Sequence, residues 1–190
     1  MTIDTPVRSS LKPYSIHPVQ QYIIDAADKW PSKIAVIDGD RRFSFGELNA
    51  HSDRLSGALA DMGIKKGDRV GLLAPNCAVF EIAFVGVLKA GAIVTTINSG
   101  YREREIAHQL NNSRASVLIV HDSLTEMADA ARPLLDEPPE VIVIHPDGTD
   151  ASSFWGRIAA VPPEAPKVAI DPMNDLAVLP YSSGTTGLSK

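Results

Sequence analysis

Four short runs, at 69–74, 92–97, 116–120 and 141–144, consist almost wholly of apolar and β-branched residues. A strand that met water on one side would alternate apolar with polar residues. These runs do not, so each must be buried on both faces. The segments between them are long enough for the crossovers that parallel neighbours require, and they carry helical patterns. Together they predict an α/β fold, a largely parallel sheet with helices on both faces. No internal repeat is present.

The connecting segments carry their own signals. Residues 77–90 are apolar nearly all round, which places that helix in the core. Asn76 stands where a cap would, and Gly91 where the helix should end. A polar helix follows over 102–112. Ser123 and Glu126 have the spacing of a capping box, opening a helix toward Leu135 with Pro133 near its end. Pro138 and Pro139 break the chain before the last run.

Upstream, 34–45 reads as a hairpin turning on Asp38-Gly39-Asp40. Ser44 and Glu47 form a clearer capping box, with Phe43 and Leu48 placed as its hydrophobic staple. Leu48, Leu55, Leu59 and Met62 share one helical face, and Gly63 can close the helix in a left-handed conformation. Downstream, 162–172 holds four prolines and reads as an extended connection. A final strand is expected over 175–180. The resulting division is an N-terminal α/β subdomain over 1–160. Residues 161–190 form an extended connection, strand and loop that lead into a further subdomain.

Composition narrows the function classes. A formal net charge of −5 argues against a nucleic-acid or anionic-membrane surface. The single cysteine, Cys77, allows no intramolecular disulfide and points to a reducing, cytoplasmic setting. It begins an apolar run and reads as a buried, inert thiol. The N-terminus lacks the pattern of a signal peptide. The longest apolar run, 78–88, is interrupted by Glu81 and is too short to span a bilayer, which takes ~20 apolar residues. His17, His51, His108, His121 and His145 are scattered, with no metal-ligand spacing. Arg102 to Glu105 reads as a solvated helix start, and Trp30 and Trp155 as packing residues.

The chain closes on YSSGTTGLSK. Here Ser182, Ser183, Gly184, Thr185, Thr186 and Gly187 follow the last apolar run directly. Gly184 and Gly187 let the backbone turn sharply. Successive amides in such a turn can form an anion-binding nest, and four hydroxyls add donors for phosphate oxygens. Lys190 supplies a compact positive charge. Strand, hydroxyl-rich glycine loop and lysine describe a polyphosphate cradle. It is not a Walker A loop, which has four residues between its glycines and a lysine directly after the second.

YSSGTTGLSK resembles the phosphate-binding signature of the adenylate-forming enzymes, which include acyl-CoA synthetases, 4-coumarate–CoA ligases, luciferases and peptide-synthetase adenylation domains. The usual form is close to Y-[ST]-S-G-[ST]-T-G-x-P-K-G. Ser189 stands where that form most often has Pro, which gives up a fixed φ and should loosen the loop. The stretch 42–119 follows the family's N-terminal pattern throughout, including LKAGA at 88–92, to which no catalytic role is carried. Arg102-Glu103 replaces the Thr-Pro that often opens the next helix, so that start should be less firmly fixed. DLAVLPYSSGTTG at 175–187 most resembles the 4-coumarate and fatty-acid CoA ligase branches. IVTTINS at 93–99 differs from the YVPLDP of peptide-synthetase domains.

The resemblance implies a reaction. A carboxylate attacks the α-phosphate of Mg2+-bound ATP, giving an acyl-adenylate and pyrophosphate, and the thiol of coenzyme A then displaces AMP. Ser182, Ser183, Gly184, Thr185, Thr186 and Lys190 would hold the ATP phosphates and stabilise charge on the departing pyrophosphate. The family's catalytic and metal-binding residues lie further along, so none is assigned here. The chain therefore reads as an N-terminal fragment, inactive alone and weak in ATP binding. Self-association or a mobile tail is expected beyond about residue 165. An adenylation domain loading a carrier protein, and a non-catalytic phosphate-binding module, are the alternative readings.

Overall fold

A computed structural model of the chain describes residues 16–145 and 150–182. Local rules place its first elements. Helix α1 (Gln21–Lys29) is followed by a two-stranded antiparallel hairpin, β1 (Ile34–Asp38) and β2 (Arg41–Ser44). Helix α2 (Phe45–Asp61) starts where both halves of the capping box form. Ser44 Oγ accepts from the Glu47 amide at 3.2 Å, and Glu47 Oε2 accepts from the Ser44 amide at 2.8 Å. Phe43 and Leu48 are both buried beside it, as a staple requires. Gly63 closes the helix with a φ of 86°.

The remaining elements are β3 (Arg69–Leu73), α3 (Ala78–Lys89), β4 (Ile93–Ile97), α4 (Glu103–Ser113), β5 (Val117–His121), α5 (Thr125–Ala131), β6 (Glu140–Ile144) and α6 (Phe154–Ala159). Strands β4-β3-β5-β6 form one sheet in that order, with every pairing parallel. Alternation along each strand feeds two cores. Val70, Leu72, Val94, Val117 and Ile119 face the layer of α2, α3 and α6. Leu73, Ile97, Leu118 and Val120 face that of α4 and α5. The expected double-sided α/β sheet is the observed one.

Two features lock α3 between the sheet and α2. A Cβ on Gly86 would come within 2.7 Å of Leu55 Cδ2, so the two helices touch where glycine allows it. Lys89 is buried, and its Nζ reaches Asp53 Oδ1 at 2.6 Å and Asn49 Oδ1 at 2.7 Å on α2. Gly91 follows with a φ of 74°, packed against Val168.

Several expectations are corrected. Asn76 does not cap α3. The cap position is Cys77, and the Ala78 amide is instead satisfied by Asp38 Oδ2 from the hairpin turn, at 3.0 Å. The Ser123–Glu126 box does not form either. A 3₁₀ turn, Asp122–Leu124, takes that place, and α5 begins at Thr125. There the Ser123 amide is taken locally by Asp122 Oδ1 at 2.7 Å. The helix start without Thr-Pro is anchored by Glu105, whose Oε2 accepts from the Arg102 amide at 2.9 Å. The strand expected over 175–180 shrinks to one parallel bridge, Val94 to Val178. Around Asp171–Asp175 the chain turns, with the Asp175 amide bonded to Asp171 O at 2.8 Å.

Sequence reasoning also passed over α1 and α6. The latter is short and capped by Ser153, whose Oγ accepts from the Gly156 amide at 3.2 Å. Trp155 packs as expected, stacked on Phe43 and edge-on to His51. Trp30 is exposed instead, with the Lys29 and Lys33 ammonium groups over its ring.

Candidate functional site

Of the six residues expected to hold phosphates, Ser182 falls within the described residues and is exposed. Ser183, Gly184, Thr185, Thr186 and Lys190 lie outside them. What the structure fixes is the chain that delivers them.

Residues 177–179 run parallel to β4. The Val94 amide donates to Ala177 O at 3.0 Å, and the Leu179 amide to Val94 O at 2.8 Å. The segment must therefore emerge toward the carboxyl end of β4. A side-chain relay reinforces this. Gln109 Nε2, from α4, donates to Thr95 Oγ1 at 2.7 Å and to Thr96 O at 3.0 Å. Thr95 Oγ1 donates onward to Leu179 O at 3.0 Å. Both Gln109 and Thr95 have no solvent exposure at all. One helical turn on, Asn112 Oδ1 accepts the Tyr181 hydroxyl. Partial burial pushes the Tyr181 pKa up, so it remains a protonated donor.

This exit runs along the outer side of β4, one strand from a topological switch point. Strand β3 sends its outgoing connection to α3 on one face, while its neighbours β4 and β5 send theirs to α4 and α5 on the other. The splayed connections leave a crevice beyond the strand ends, which is where open α/β sheets bind ligands. A cleft of about 460 Å³ occupies it, lined among others by Asn76, Phe80, Asn98, Tyr101, Gln109 and Tyr181. The Oε1 of Gln109 is buried there with no hydrogen-bond partner.

The other reactive groups are inert or distant. Cys77, expected to be buried, is only half-buried, and that burial pushes its pKa up, which favours the thiol form. Among the described residues no group of His, Cys, Asp or Glu could hold a metal ion. No helix of the described chain is long and apolar enough to cross a membrane.

Thr95, Gln109 and Asn112 were not singled out from sequence. A signal existed for the first two. Thr95 is polar within a strand that should be buried on both faces. Gln109 falls between Ile106 and Leu110 on the inward face of α4. Polar residues at core positions need partners, and these partner each other.

Comparison with known proteins agrees with the geometry. The sequence pattern described as "AMP-binding enzyme" matches residues 23–190. A 4-coumarate–CoA ligase 5 of Oryza sativa subsp. japonica is 35% identical over 175 residues, which is 91% of this chain and 32% of the relative. A medium/long-chain-fatty-acid–CoA/3-oxocholest-4-en-26-oate–CoA ligase of Mycobacterium tuberculosis (strain ATCC 25618 / H37Rv) is 34% identical over 174 residues, 87% of this chain and 31% of the relative. Among solved structures, an anthranilate CoA ligase in complex with anthranoyl-AMP superposes with a TM-score of 0.83 at 29% identity, covering 91% of this chain and 33% of that one. The apo structure of MbtA from Mycobacterium smegmatis gives 0.82 at 35% identity, covering 93% and 33%. The chain thus spans about a third of the length of the curated relatives it matches.

Proposed function

The chain belongs to the AMP-binding enzyme family, and from that premise we propose that the protein carrying it is an AMP-forming carboxylic acid–CoA ligase. The observation that carries the proposal is the exit of the Tyr181–Ser182 segment beside the switch-point cleft, directly before a glycine- and hydroxyl-rich stretch ending in Lys190. A polyphosphate at that place would meet amides and hydroxyls from Ser182, Ser183, Gly184, Thr185 and Thr186, with Lys190 neutralising part of its charge. ATP, accompanied by Mg2+, is the adenylyl donor. The first step gives an acyl-adenylate and pyrophosphate, and the second gives an acyl-CoA thioester and AMP. The similarity to 4-coumarate and fatty-acid CoA ligases supports an aromatic or fatty carboxylic acid as substrate. A cytoplasmic location fits the single reduced cysteine. The 190 residues alone are expected to be inactive.

The test is acid-dependent exchange of labelled pyrophosphate into ATP by the gene product, across a panel of aryl and fatty acids. It is followed by detection of the CoA thioester. Exchange without thioester, but with acyl transfer to a carrier protein, would replace the CoA reading. Absence of exchange with every acid would overturn the proposal.

A further inference from the structure

The face of α4 that carries Gln109 and Asn112 touches the segment 177–182 at two points, one through Thr95 and one directly. We propose that Thr95, Gln109 and Asn112 are positioning residues for ATP, which act by seating the segment 177–182 beside the cleft. The inference rests on the ligase reading above.

Three observations carry it. First, the segment has little regular pairing of its own, with one β-bridge at Val178 in place of a strand. Its direction beyond Leu179 must come from side chains. Second, the relay is directional and dry. Gln109 can only donate through Nε2, so Thr95 Oγ1 accepts from it at 2.7 Å and is left with its own proton for Leu179 O at 3.0 Å. Both side chains are fully buried, so removing one leaves its partner's polar group without its hydrogen bond. Third, Asn112 lies one turn beyond Gln109 on the same face, and it takes the Tyr181 hydroxyl two residues after Leu179. Two fixed points on one rigid helix define both position and direction, where one would leave a pivot. Small displacements of a positioned group are costly in a reaction that depends on alignment.

The experiment uses Thr95→Val, Thr95→Ser and Asn112→Ala in the gene product. KM for ATP, KM for the acid and thermal stability are measured for each. Thr95→Val keeps the shape and removes the relay, and should raise the KM for ATP about tenfold. The KM for the acid should stay within about twofold of the parent value. Thr95→Ser restores the hydroxyl and should return the ATP KM to that value. Asn112 is exposed, so its alanine variant folds even where the buried variant does not, and it should raise the ATP KM several-fold. If Thr95→Val folds and its ATP KM is unchanged, or if Asn112→Ala leaves that constant unchanged, the proposal is overturned. A parallel rise in both constants, tracking lost thermal stability, would also overturn it. Failure of the unsubstituted protein to exchange pyrophosphate is a separate result, which removes the ligase reading and this inference with it.

Discussion

Lys89 is the one fully charged side chain buried among the described residues, and its setting explains how a cation is tolerated there. Burial pushes its pKa down, and Asp53, at 2.6 Å, opposes that shift. Removing one partner of such a pair leaves the other uncompensated, which is worse than removing both. Asp53→Ala should therefore lose about 3–5 kcal/mol of stability in urea titration, and Lys89→Met added to it should recover most of the loss. Glu47 makes the opposite kind of contribution, at the surface. Hydrogen bonds from the Ser44 amide and hydroxyl hold its carboxyl pKa below the ordinary 4.5. The folded state then binds fewer protons than the unfolded one as the group titrates, so its stabilisation is complete above pH 4.5 and is lost as pH falls through the depressed value. Against Glu47→Ala, the parent chain should show an advantage of about 1 kcal/mol at pH 7 that shrinks steadily below pH 4.5 in thermal melts. A gap independent of pH would show that the helix start does not depend on the charged carboxylate.

At the scale of elements, what could be foreseen depended on how far apart the partners lie. The box at Ser44 and Glu47 was legible because both halves sit within one turn. So were the four parallel strands, because burial on both faces forces them to be apolar throughout. The cap of α3 was not legible, since its acceptor belongs to Asp38, forty positions upstream in the chain and brought near only by folding. Asp38→Ala should cost about 1 kcal/mol and raise amide exchange at Ala78 selectively, whereas Asn76→Ala should leave that amide unchanged. The failed box at Ser123 teaches the converse. Its spacing was right, but Asp122 and His121 offered the Ser123 amide nearer acceptors. The contact of α2 with α3 was equally invisible, because Gly86 reads only as a weak point in a helix until Leu55 is seen against it. Gly86→Ala should cost about 1–3 kcal/mol by overpacking despite alanine's better helix propensity. A stabilised Gly86→Ala variant in denaturant titration would show that the two helices can part at no expense.

Across the whole molecule the candidate site divides into a part written locally and a part supplied by the fold. The hydroxyls, glycines and lysine after Tyr181 announced phosphate chemistry as a contiguous string. The course of the chain into them, through Leu179 and Tyr181, is set by β4 and α4 through Thr95, Gln109 and Asn112, which no contiguous motif joins. The same division governs how residues 161–182 are held. Lys66 Nζ meets Asp175 Oδ2 at 2.6 Å and Ala169 O at 2.8 Å, but the pair is partly exposed and screened by water, so it fastens the segment only weakly. The ties at Val94 and Thr95 are buried. Between these two fastenings Met173 and Leu176 are 71% and 64% exposed. Hydrogen exchange should therefore be graded along the segment, fast over 162–176 and slow at Leu179, whose amide bonds Val94 O. Apolar side chains presented on so loosely held a stretch also favour pairing between copies of the 190-residue chain. Sedimentation of that chain should show concentration-dependent dimers, and Leu176→Lys should weaken them by placing like charges across the contact. A monomer at all concentrations, or dimers indifferent to Leu176→Lys, would mean that this apolar surface does not mediate association.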